Sequence, residues 1–264
     1  MMRTRRAAVA GTFYPADRTE LAELVDGMLA GAPSAHDAGP PIALIAPHAG
    51  YVYSGPTAAA AYARLRLWAP FIDRIVVVGP AHRVAVHGLG LSTAEAFETP
   101  LGRIPVDRAA CDELLTHRGV CISDETHRDE HSVEVHLPFL QRILGDAWQL
   151  VPVVAGSGPP PVIADAFETL WGAHGTVFVI STDLSHYHDL RSARSLDRTT
   201  AATIVAASWE HLGSEDACGA VPVRGALELA RRHGEHVSLV ELATSADTIG
   251  PADRVVGYGS FVIR

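Results

Sequence analysis

Four short apolar runs constrain this chain more than any other feature. Residues 42–46, 74–79, 149–154 and 176–181 are apolar nearly throughout rather than alternating in polarity. A strand with one wet face alternates apolar and polar residues. A continuous run suits a strand buried on both faces, as in a parallel sheet covered by helices. Between the runs, residues 57–67, 107–117 and 138–144 have helical character, and Pro138 suits a first helical turn, where its missing N–H costs nothing. Ahead of them, Asp17 and Glu20 read as a capping box. Leu21, Leu24, Val25, Met28 and Leu29 then fall on one helical face. Residues 31–41, rich in Gly, Pro and Ala, read as a loop. The C-terminal third adds predicted helices over 195–211 and 221–232 and strands near 237–242 and 255–263. There is no repeat, low-complexity tract or linker. The expectation is one α/β domain over residues 1–264, three layers deep, with a central and mostly parallel sheet.

Composition narrows the function classes. With 48% hydrophobic and 19% charged residues over 264 positions, the chain has the apolar material for a core, which excludes disorder as its main state. No apolar run reaches the ~18–20 residues of a membrane span, and no apolar region follows the basic N-terminal residues as it would in a signal peptide. A net charge of −9 with scattered cationic residues argues against non-specific nucleic-acid binding. Three cysteines are too few, and odd in number, for a disulfide scaffold. The expectation is a cytoplasmic protein whose apolar content leaves room for a homo-oligomeric face.

Fourteen histidines stand out. Three of the predicted strands run into one: 42–46 into His48 and Tyr51, 74–79 into His82, and 176–181 into Asp183, His186 and His188. In an open parallel sheet the residues past the carboxyl ends of strands line the ligand crevice, so three such ends bring imidazoles to one rim. Each could cap a strand end or bond a buried carbonyl; together they suggest a metal site with an open position. A fourth constellation spans residues 129–138. If it is helical, His131 and Glu134 share a face, and a carboxylate beside an imidazole fixes its tautomer. The HExxH spacing is absent. Cys218, before a helical stretch, reads as an inert apolar residue or as a soft metal ligand. Cys111 and Cys121 read as inert, and His36, His117, His174, His211, His233 and His236 as solvated.

These pieces, in order, carry a resemblance: residues 8–15, 46–51, 79–82, 129–138 and 181–186, then Cys218-Gly219. The chain resembles the Memo family, known in bacteria and archaea as protein B of the AmmeMemoRadiSam system. That family is similar in fold to the catalytic subunit of class III extradiol ring-cleavage dioxygenases, which use non-haem Fe(II). The resemblance implies His48, His82 and Cys218 as metal ligands and His186 as acid/base with Asp183. It implies that Asp183, His131 and His136 shape the pocket around them; Tyr51, Glu134 and His188 are further candidates for the pocket or the layer behind it, His188 with no assigned role. The dioxygenases carry a carboxylate where this chain has Cys218, and a thiolate is softer and open to oxidation. The implied cofactor is one transition-metal ion, iron(II) or copper, with zinc as the alternative.

Three functions follow as expectations. One is a mononuclear redox enzyme acting on a small molecule or peptide, with a radical SAM protein of the same system as partner. Another is a zinc hydrolase with Glu134 or Asp183 as base. The last is an adaptor that holds metal and binds a partner without turnover.

Overall fold

The four apolar runs become four adjacent strands, because burial on both faces is the only arrangement that hides every side chain they carry. The computed structural model describes residues 3–33 and 39–264; His36 lies outside them. In chain order the strands are β1 (Thr4–Arg5), β2 (Ala43–Ala46), β3 (Arg74–Pro80), β4 (Leu89–Leu91), β5 (Ala96–Thr99), β6 (Gly102–Pro105), β7 (Val120–Ile122), β8 (Gln149–Ala155), β9 (Thr176–Ser181), β10 (His186–His188), β11 (Val237–Thr244) and β12 (Val255–Ile263). The helices are α1 (Arg18–Gly31), α2 (Tyr51–Tyr62), α3 (Arg108–Leu114), α4 (Asp124–Arg128), α5 (Leu137–Leu144), α6 (Pro160–Phe167), α7 (Leu190–Val205) and α8 (Ala220–His233).

The large sheet runs β10-β12-β2-β9-β3-β8-β4-β7, with β11 also paired to β12. Its centre, β2-β9-β3-β8, is parallel. The flanks turn antiparallel where β12 meets β2 and where β4 meets β8. Every residue of β2 and β9 is buried. Helix α2 packs on β2, β11 and β12 and is backed by α1 and α5; α8 packs on β3 and β9 with α6 against it, and α7 lies on β11 and β12. This is an α/β arrangement of helices layered on a sheet. Among the described residues no helix is long and apolar enough to cross a membrane.

Three local differences from the sequence reading have physical causes. Helix α2 starts at Tyr51, not near residue 57, although Gly55 and Pro56 lie inside it. A Cβ at Gly55 would lie 2.5 Å from the Met28 sulfur, so the close approach of α1 and α2 overrides poor helix propensity there. Helix α7 starts at Leu190 because Asp189 accepts the N–H groups of Arg191 and Ser192. It stops at Val205, two residues before Ala207 at φ 49°, and Trp209–His211 forms a separate 3-10 turn. At α1, Asp17 caps the N–H groups of Thr19 and Glu20. A second sheet, β1-β5-β6, was not expected, its strands being too short to show a pattern.

Candidate metal centre

Strand order decides which residues meet. β9 lies between β2 and β3, with Ala46 level with Ser181 and Val78 with Ile180. Neighbouring strands are about 4.8 Å apart, so His48, Asp183 and His82, just past the three ends, share one rim. The His48 and His82 ring centroids are 5.1 Å apart.

Cys218 reaches this rim from the segment before α8. Its N–H donates to the Asp183 carbonyl at 3.3 Å, and the Gly219 N–H donates to Thr182 Oγ1 at 2.8 Å. A Cβ at position 219 would lie 2.3 Å from the Ser181 carbonyl oxygen, so only glycine permits the approach. Cys218 Sγ thereby sits 3.4 Å from His48 Nε2 and accepts the Asp183 N–H at 3.3 Å.

Each imidazole is held by one nitrogen and offers the other. His48 Nδ1 hydrogen-bonds Ser181 Oγ at 2.6 Å, and His82 Nδ1 meets Glu130 Oε1 at 3.0 Å. Glu130 Oε2 accepts the His82 main-chain N–H at 2.6 Å. One donor atom from each of His48, His82 and Cys218 lies within 4.8 Å of the others. The 3.4 Å between His48 Nε2 and Cys218 Sγ matches an edge of a tetrahedron with metal–N bonds of about 2.0 Å and metal–S of about 2.3 Å. His48 is buried, and the His82 side chain, 29% exposed, marks the open side. The donor set fits a borderline or soft transition-metal ion.

The protonation states suit ligation. Burial, reinforced by His82, His131, His136 and His186, holds His48 well below the ordinary imidazole range, so its lone pair is free. Burial raises the Asp183 carboxyl to about 6 against the N–H donors of His48 and Ala49. Burial and Asp183 push the Cys218 thiol up to about 12; a bound cation inverts that logic and favours the thiolate.

His131 stacks on His82 with centroids 4.8 Å apart, lies 5.4 Å from His48 and touches Phe13 at 4.6 Å. Its Nδ1 is 3.2 Å from Glu130 Oε1 but misaligned for a hydrogen bond. Burial lowers it to about 4. His186, partly buried, opens β10, and burial together with the charge of His82 lowers its pKa against the opposing pull of the Leu184 carbonyl and Asp197. His188 follows on the same strand and is exposed.

Three expected site residues serve the surrounding core. Glu134 does not share a helical face with His131, because the helical turn begins only at Glu134 and His131 lies outside it. Its carboxylate takes the Arg5 guanidinium, the N–H groups of Ala8 and Val9, and the Tyr14 hydroxyl. Tyr51 donates its hydroxyl to the Val135 carbonyl at 2.6 Å, beside Phe139. His136 Nδ1 bonds the Tyr62 hydroxyl at 2.6 Å, and burial lowers this imidazole to about 3.

Of the residues read as inert or solvated, Cys111 is buried, but Cys121 is exposed on the edge strand β7. His174 is exposed and lines an apolar cavity of about 300 Å³ with Ile42, Thr176 and Val177, at the opposite ends of the strands. Glu130 and Ser181, which orient the two histidines, were not singled out. Ser181 ends the apolar run of β9 and Glu130 adjoins His131, yet only the fold shows which imidazole each one meets.

A family described as Memo-like protein matches residues 5–262. The chain is 35% identical to a MEMO1 family protein of Ignicoccus hospitalis, over 98% of each chain. It is 34% identical to one of Thermotoga maritima, over 98% of this chain and 99% of the relative. A MEMO1 family protein of Aquifex aeolicus is 32% identical, over 97% and 98% respectively.

Proposed function

The chain belongs to the Memo family, and from that premise we propose that it is a dioxygenase-like, metal-dependent oxidoreductase with one ion, iron(II) or copper, on His48, His82 and Cys218. The observation that carries this reading is the shared posture of the ligands. Both histidines are tied through Nδ1, leaving Nε2 toward a thiol that already stands 3.4 Å from one of them. When bound, such an ion supplies a Lewis-acidic, redox-active position on the open side of the rim.

The chain's own groups do the rest. Ser181 and Glu130 fix the ring orientations, and the Asp183 N–H stabilises the Cys218 sulfur. Asp183 Oδ1 holds the main chain of His48 at 2.8 Å. His186, kept neutral by burial, takes a proton from the substrate as a general base. The substrate is a small molecule or peptide, and a radical SAM protein is the partner this reading carries. The zinc-hydrolase alternative loses one of its two bases, because Glu134 is spent on Arg5.

The test separates ligands from base. His48→Ala or His82→Ala should abolish stoichiometric metal, while His174→Ala keeps it. His186→Ala should keep the metal and lose oxygen consumption across a panel of oxidisable substrates. Metal loss in His186→Ala, or equal loss in His174→Ala, would contradict the assignment.

A further inference from the structure

The segment carrying Asp183 and His186 is clamped from α7 by a carboxylate that has no part in the roles above. Asp197 is 1% exposed. Its Oδ1 accepts the N–H of Ser185, the residue before His186, at 3.0 Å. The Ser185 carbonyl accepts the Gly257 N–H at 2.8 Å, and the Leu184 N–H donates to the Gly257 carbonyl at 2.8 Å. Both main-chain polar groups of Ser185 are therefore engaged. A Cβ at position 257 would lie 2.1 Å from Asp197 Oδ2, so any side chain there must displace the carboxylate.

That second oxygen has no hydrogen-bond partner among the described residues, and a buried, unpaired carboxylate oxygen calls for a reason. Arginine pairing does not provide it. Arg194 and Arg198 line a cavity of about 470 Å³ together with Asp197, yet Arg194 is bound to Asp247 at 2.6 Å and neither reaches Oδ2. Beyond the Ser185 hydroxyl, which itself has no well-aligned hydrogen-bond partner among the described residues, the charged groups that Asp197 feels are His188 and His186.

The geometry points to Asp197 as a positioning residue for His186. It pins the main chain at Ser185, the residue before His186, so that the imidazole enters the rim in one orientation. This rests on His186 being the proton-handling group proposed above. Helix α7, whose Asp189 cap directly follows β10, thus anchors the strand it grows from.

The test uses ¹⁵N-histidine-labelled protein and long-range ¹H–¹⁵N spectra, with the His186 signal assigned by its disappearance in His186→Ala. Wild type should show one His186 tautomer. Asp197→Ala should lose that single pattern while metal content is unchanged. Asp197→Asn, whose amide oxygen still accepts the Ser185 N–H, should restore it. Gly257→Ala, which displaces the carboxylate without removing it, should reproduce the alanine result and serves if Asp197→Ala does not fold. A wild-type His186 pattern in Asp197→Ala and Gly257→Ala, even with a lowered melting temperature, would make Asp197 merely structural and overturn the proposal. Metal loss in Asp197→Ala would overturn it too. Turnover surviving in His186→Ala would instead sink the functional reading and leave the tautomer result standing.

Discussion

Glu130 holds His82 at two points, accepting its main-chain N–H at 2.6 Å and meeting its ring Nδ1 at 3.0 Å. One carboxylate thus sets both where the residue leaves β3 and how its ring is turned. The same Oε1 accepts the N–H groups of His131 and Ser132 at 3.0 and 3.1 Å. Burial alone would raise the Glu130 carboxyl, but the donors of His82 and Ser132 outweigh it and hold it at about 2.

Glu130→Gln keeps an acceptor but loses the charge that polarises His82. Replacing a group that orients a metal-bound imidazole typically costs ~10–100-fold in metal affinity. A competition titration against a chromophoric chelator should show a loss in that range with the fold retained. Unchanged affinity would mean that the Glu130 charge does not tune His82 as a ligand.

The N-terminal segment is tied down by a buried ion pair rather than by its two-residue strand. Arg5 meets Glu134, and the same guanidinium donates to the carbonyls of His127 and Glu130. Removing one partner of a buried pair strands the other charge, at a cost of about 3–5 kcal/mol. Arg5→Met should lower stability by that amount in urea unfolding. A loss below about 1 kcal/mol, the scale of exposed pairs, would show that the pair is not needed.

Acid should weaken the metal-free fold. Burial lowers His127 from 6.5 to about 4 and His136 from 6.5 to about 3. Below pH 6.5 the unfolded chain binds protons that the native fold refuses. Their contribution is therefore full above pH 6.5 and declines as pH falls toward 4 and then 3. Asp183 opposes this. Its carboxyl is raised from 3.8 to about 6, so it stabilises the native state as pH falls through that interval. At about 1.4 kcal/mol for each pH unit separating folded and unfolded values, the two imidazoles outweigh the one carboxyl. The urea midpoint should fall steadily on acidification below pH 6.5, and the slope should be shallower in His127→Gln. A flat profile in wild type would contradict the burial argument.

Much of the scaffold was legible because one physical demand produced it. The runs that became β3, β8 and β9 match the strands to within a residue, since a stretch that must hide both faces shows its limits where polar or turn residues begin. The histidine rim was legible for the same reason, as the strand-end rule needs only the strands. Sequence cannot show lateral order. That β9 lies between β2 and β3 is a tertiary fact, and it decides that Ser181 meets His48. Nor could spacing distinguish Glu130 from Glu134, because the turn over Glu134–His136 sends one toward His82 and the other toward Arg5. The starts of α2 and α7 were hidden for local reasons, a glycine–proline pair packed on Met28 and a cap at Asp189.

In the proposed site Cys218 joins His48 and His82 around one ion. The direct measurement is elemental analysis with an absorption spectrum on anaerobically purified protein, wild type beside Cys218→Ser. One equivalent of iron or copper in wild type, falling sharply in the variant with the fold intact, is the result the proposed site predicts. Equal metal content in both would contradict it.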